Sequence, residues 1–194
     1  MFGSFYFGYV TGVAPLVAYN YGKQNFYRTK KLFRKSLIIL SVLSVITVVM
    51  TLGLATQVVN IFIDPYMSVY LGDGFYYDMS MQPLRDMSTR GLRIVSLAFV
   101  FMGFNVYASG MLTGFNDGLM SGLLMLFRTF VFTLVLILVL PIRMGIDGVW
   151  TALPLAEGLA FIVSVGLVIF LGKKYKYLDG VKYTSHNGGS EIAE

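Results

Sequence analysis

The sequence predicts an all-α membrane protein with five transmembrane helices, and three observations carry that prediction. Apolar residues fill 56% of the 194 positions and charged residues only 13%, where a soluble domain carries roughly a quarter. The apolar residues gather into five runs, each at or near the ~20 residues a helix needs to cross the hydrocarbon. Runs this long do not alternate as barrel strands must, so strand readings are weak throughout.

The runs span roughly 1–21, 36–63, 90–114, 118–141 and 147–172. The first carries Pro15 and ends in a tyrosine-rich turn. After it comes a basic loop, 22–35, with Lys23, Arg28, Lys30, Lys31, Arg34 and Lys35 and no acid. Asp64-Pro65 stops the second run, because the residue before proline avoids the α region. The stretch 64–89 is too polar to span and is expected to be a solvated loop. It holds Asp64, Asp73, Asp78 and Asp86, whose spacing is not that of a calcium loop. A turn at Thr113–Asp117 separates the third and fourth helices, and one at Pro141–Asp147 the fourth and fifth. The spans and their loops, 1–172, form one unit; the polar tail 173–194 is expected to be disordered.

Counting Lys and Arg orients the chain. With the 22–35 loop and the C-terminus in the cytoplasm, ten basic residues lie inside and four outside, Arg128 being left out as intramembrane. That is the positive-inside pattern expected of a multi-pass protein of the plasma (inner) membrane. The formal charge of +5 is therefore a topology signal rather than a nucleic-acid face. No cysteine is present, and the only histidine is His186 in the tail. A thiolate site, a metal–histidine cluster and a Ser–His–Asp triad are excluded, and no phosphate-binding loop motif occurs. The chain is not expected to be an enzyme or to need a cofactor.

Within the spans, small residues recur at packing distance: Ser4, Gly8 and Gly12; Gly110 and Gly114; Gly118 and Gly122; Ala152, Ala156, Ala160 and Ser164. Lipid offers no hydrophobic drive between helices, so close backbone approach is what holds such a bundle. Pro15 and Pro154 each remove a backbone hydrogen bond inside a helix, as static kinks or as gating bends. Ionisable groups at membrane depth face a cavity or a partner. Arg128 and Glu157 are the two such groups. Counted along straight helices of an antiparallel hairpin they sit at different depths, so no direct pair is expected. Arg128 would snorkel to the inner surface and position the inner end of its helix; Glu157 is too short to do so. Asn105 adds an amide near the middle of the third helix, with Tyr107 and Ser109 nearby. It is either an interhelical hydrogen bond or a cavity contact.

Three stretches together resemble the multidrug and toxin extrusion (MATE) family of transporters. GVAPLVAYNYGKQNFYRTKK is similar to its G-x-x-P-x-x-x-x-N-Y-G-A-x-N turn and basic loop. LRIVSLAFVFMGFNVYASGMLTGFND resembles its tenth helix. LLMLFRTFVFTLVLILVLPIRMGIDGVWTALPLAEGL resembles its eleventh and twelfth, through Arg128, Pro141 and the run Gly145–Glu157. The MepA/DinF-like branch is nearest. The resemblance implies helices eight to twelve of a twelve-helix, two-lobe transporter, with the N-terminal lobe and helix seven missing. It implies a cation-coupled (H⁺ or Na⁺) antiporter exporting cationic amphiphilic, drug-like compounds, inactive alone, with the lipid bilayer and the missing lobe as partners and no nucleic acid. Asn105, Tyr107 and Glu157 would line the substrate or ion cavity; Pro15, Arg128 and Pro154 would be structural or gating residues. Asn105 stands where some members carry an aspartate, and an amide cannot exchange a proton. A lipid-linked saccharide flippase of the same superfamily, and a non-transporting membrane remnant or assembly partner, are the other readings.

Overall fold

The computed structural model describes residues 3–72 and 75–175. In chain order these form α1 (Ser4–Gly22), α2 (Phe26–Phe62), β1 (Tyr66–Gly72), β2 (Phe75–Ser80), α3 (Gln82–Ser96), α4 (Ala98–Gly114) and α5 (Gly118–Leu126). A π-helical segment (Phe127–Phe132), α6 (Thr133–Met144) and α7 (Ile146–Lys174) follow. The tail expected to be disordered lies largely outside the described residues, as does Asp73.

The basic loop is shorter than expected. Lys23–Asn25 alone connect α1 to α2: Gln24 takes a positive φ of 54°, and the Asn25 side chain accepts from the Arg28 amide at 3.1 Å as an N-cap. Lysine and arginine are good helix formers, so Arg28 to Lys35 become the opening turns of α2. At 37 residues, α2 is about 55 Å long and outreaches a hydrocarbon slab of ~30 Å. Its basic turns have room to project beyond that slab.

The segment 64–89 is not the solvated loop expected. β1 and β2 pair antiparallel, with Tyr66 opposite Ser80 and Met67 opposite Met79. Tyrosine, valine and phenylalanine favour strands, and β1 ends at Gly72. Beyond Pro83, α3 is amphipathic and meets α4 at a bend of 43°. The expected span 90–114 therefore straddles the break, taking in the end of α3 and all of α4.

Three continuous segments are long and apolar enough to cross a membrane: Phe26–Phe62, Gly118–Met144 and Ile146–Gly172; the bent α3–α4 pair makes a fourth. The expected first span, α1, does not qualify, because its four tyrosines and Asn20 dilute its apolarity. The burial pattern is inverted relative to a soluble protein. On α2, Thr29, Ser36, Ser44, Thr47 and Thr51 face inward, while Ile38, Val42, Val45 and Val49 are exposed. The buried hydroxyls of Thr47 and Thr51 donate to the carbonyls of Leu43 and Thr47, both at 2.8 Å. Small polar residues inside and branched apolar ones outside suit a helix whose solvent is lipid.

At the centre, α4 packs against α1, α2, α5 and α7. Its glycines make close approach possible. A Cβ at Gly110 would lie 2.2 Å from Cγ1 of Val10, and one at Gly103 2.8 Å from the Tyr6 ring. Gly114 lies against Val17 in the same way. Ala152, Ala156, Ala160 and Ser164 are likewise buried on one face of α7. Gly8, Gly12, Gly118 and Gly122, by contrast, face open space; that part of the expected small-residue packing is not used within this chain. Gly110→Ala should therefore destabilise the α1–α4 contact by about 1–3 kcal/mol. Adding Val10→Ala should recover most of the loss. A thermal unfolding series in detergent checks this, and an unchanged Gly110→Ala midpoint would contradict the packing described.

Candidate functional site

The densest polar constellation joins α4, the π-helical segment and α7. Asn105, Arg128, Glu157 and Ser164 are 0%, 6%, 6% and 2% exposed, so each must find partners inside the bundle. The Arg128 guanidinium donates from Nε to both Glu157 carboxylate oxygens at 3.0 Å, and Nη2 lies 2.9 Å from Oε1. The Asn105 amide nitrogen donates to Glu157 Oε2 at 2.7 Å and to the Glu157 backbone carbonyl at 2.9 Å. Its amide oxygen accepts from the Ser164 hydroxyl at 3.0 Å. The carboxylate is thus held by a cation and an amide, and the set is neutral overall.

This corrects the expectation that Arg128 and Glu157 do not pair, and that Arg128 snorkels to the inner surface. Measured from the turn at Gly145, Arg128 lies 17 residues back and Glu157 12 residues forward. The five-residue difference is about 7 Å along a straight helix, which an extended arginine side chain spans. The chain around Arg128 is also π-helical. That wider turn is common at functional positions, and here the Thr133 hydroxyl donates to the Arg128 carbonyl five residues back at 3.2 Å.

Tyr107, expected beside Asn105 and Glu157, belongs to a different environment. It is 2% exposed, lies stacked at 6.0 Å on Phe33, and lines an apolar cavity of about 370 Å³ with Leu37, Phe104, Phe161 and Ser164. Its hydroxyl has no hydrogen-bond partner among the described residues. Ser36 lies close by but is engaged by the Tyr9 hydroxyl at 2.9 Å. Ser164 is the link between the two regions, touching both Asn105 and the cavity. As a serine in an alanine-rich packing face it gave no distinct signal in the sequence. A second polar knot ties α4 to α5: the Ser109 and Ser121 hydroxyls lie 2.9 Å apart, and those of Thr113 and Ser121 2.8 Å. Pro15 and Pro154 both sit inside continuous helices. Pro141, expected in a turn, is inside α6; the chain reverses instead at Gly145, where φ is +58° and ψ −140°.

A model of the MatE family matches residues 1–139, a stretch that includes Asn105, Tyr107 and Arg128. No curated protein sequence matches the chain. Two solved structures share its fold. The outward-facing conformation of a multidrug resistance MATE family transporter of the MOP superfamily superposes with a TM-score of 0.75 at 20% identity, over 88% of this chain and 35% of that one. The inward-facing conformation of a transporter so described superposes at 0.73 and 21% identity, over 90% and 38%. The chain thus spans little more than a third of the length of the transporters it matches.

Proposed function

This chain belongs to the MatE family, and from that premise we propose that it is the second-lobe portion, helices eight to twelve, of a cation-coupled multidrug antiporter of the MepA/DinF-like branch. Cationic amphiphilic compounds leave the cell as H⁺ or Na⁺ enters. The family match is the observation that carries this reading. The near-equal superposition on an outward-facing and an inward-facing transporter supports a lobe that moves as one body, as rocking-lobe transport requires. The protein sits in the plasma membrane with the basic segment 22–35 and the C-terminus in the cytoplasm, following the charge asymmetry.

The geometry supports two roles. Tyr107 gives the apolar cavity part of its aromatic wall, and contacts the apolar part of a substrate. The Asn105–Glu157–Arg128 set is the polar anchor that keeps α4, the π-helical segment and α7 together while the lobe moves. In this arrangement Glu157 is neutralised by Arg128, and Asn105 cannot exchange a proton, so the coupling carboxylate is supplied by the remainder of the transporter. Pro15, inside α1, is the gating bend of that helix.

Ethidium-loaded cells test the proposal. The chain should give no export alone. Joined to a first lobe and helix seven from a MATE transporter, it should give export that an ionophore abolishes. Gradient-dependent export by the chain alone would overturn its role as part of a larger carrier; ionophore-resistant export by the joined form would overturn cation coupling.

A further inference from the structure

A small basic pocket lies between the last turns of α1 and the first turns of α2. Leu16 and Asn20 of α1 line it with Arg28, Lys31, Leu32 and Lys35 of α2, around about 220 Å³. Positions 28, 31, 32 and 35 fall on one face of a helix, and 16 and 20 on one face of another. Three cations thus converge on one cleft with an apolar floor. The first acidic residue of the chain is Asp64, so neither helix brings a carboxylate to balance them, and no described carboxylate lines the pocket.

The surroundings place this pocket at the edge of the bilayer. Tyr19 and Tyr27, beside it in sequence, are 58% and 54% exposed, and tyrosine concentrates where headgroups meet hydrocarbon. Lys23 reaches back over the Tyr19 ring, 4.3 Å from its centroid. Leu16 lies toward the apolar part of α1, and Leu32 is partly buried against the core between the basic residues of α2.

We infer that this α1–α2 pocket binds the phosphate headgroup of an anionic membrane phospholipid. Arg28, Lys31 and Lys35 neutralise the phosphate, and Leu16 and Leu32 carry the start of an acyl chain. A topology signal needs only a count of positive charges in a loop. It does not need them to converge with two leucines on one cleft, whereas basic pockets between membrane helices suit anionic headgroups. The inference requires that α1 and α2 sit in a bilayer, and it does not depend on antiport.

Native mass spectrometry of the purified full chain provides the test, with phosphatidylglycerol and phosphatidylcholine as probes. The wild type should retain phosphatidylglycerol preferentially. The triple variant Arg28→Gln, Lys31→Gln, Lys35→Gln should reduce that retention by about tenfold or more. The charge-matched variant Lys23→Gln, Lys30→Gln, Arg34→Gln should change it by less than about twofold, since those residues do not line the pocket. Leu32→Trp, which fills the cleft and keeps every charge, should also abolish the preference, so a misfolded triple variant leaves the question open to measurement. Equal losses in both triple variants would mean a diffuse basic surface and overturn the pocket. Displacement of the lipid by millimolar inorganic phosphate would overturn the lipid as the ligand and leave an anion site.

Discussion

Glu157→Ala should destabilise the bundle by about 3–5 kcal/mol, whereas the double change Arg128→Leu, Glu157→Leu should cost much less than twice that. The asymmetry comes from what is left behind. Removing the carboxylate alone strands a guanidinium that is 6% exposed and whose two contacting nitrogens both address Glu157. It also frees the Asn105 amide, which loses its 2.7 Å bond to Oε2 while keeping its 2.9 Å bond to the Glu157 carbonyl. Removing both charges replaces an ion pair by apolar groups in a setting where desolvation already offsets much of the Coulomb attraction. Arg128→Leu alone should be similarly damaging, since it leaves a buried carboxylate supported only by an amide. Unfolding in a graded SDS–detergent series, run as a double-mutant cycle, gives the coupling. Additive single and double effects would mean that the pair does not act as a unit. Asn105→Leu should show a smaller loss than Glu157→Ala, because it removes hydrogen bonds but leaves the charges paired.

Much of this architecture was legible in hydropathy because the bilayer sets the length of a span. The long apolar runs at 118–141 and 147–172 correspond to α5 through α6 and to α7 within a few residues, and the run at 36–63 to all of α2 but its ten-residue basic start. What escaped is local chemistry that hydropathy averages away. Tyrosines and aspartates gave 66–80 a polar look, although its β-favouring residues pair backbone to backbone across a hairpin. α3 is amphipathic, and so falls between a loop and a span on any apolar count. At the site, Asn105, Arg128 and Glu157 were visible singly as polar groups at membrane depth. Their union was not, because counting turns along straight helices ignores both the reach of arginine and the π-helical turn that carries it. The orphaned Tyr107 hydroxyl depends on where Ser36 points, which no residue spacing encodes.

Gly148→Ala should be among the most damaging small substitutions in the chain, with a loss of about 1–3 kcal/mol or more, although alanine is the better helix former. The obstruction is backbone. A Cβ at Gly148 would lie 2.6 Å from the carbonyl carbon and oxygen of Leu140 and 2.7 Å from the nitrogen of Pro141. A side chain could swing away from such a contact, but a peptide unit inside α6 cannot, and its proline ring fixes φ there. Relief requires α7 to move away from α6. The connection leaves little slack for that movement, because Gly145 alone joins α6 to α7. Displacement would be carried along α7 to Glu157, nine residues on, where an ion pair closed at 2.9 Å tolerates little movement. Gly166→Ala in the same helix is the control: nothing lies within 4 Å of its added Cβ, so it should be neutral or stabilise by about 0.5–1 kcal/mol. The chain's single tryptophan, Trp150, packs its ring over Gly91 of α3, where a Cβ would meet it at 2.4 Å, and so reports on this end of α7. Its emission should shift in Gly148→Ala and stay put in Gly166→Ala. Equal midpoints and unshifted emission in both variants would mean that α6 and α7 are not in backbone contact, and that the Arg128–Glu157 pair is not held from that end.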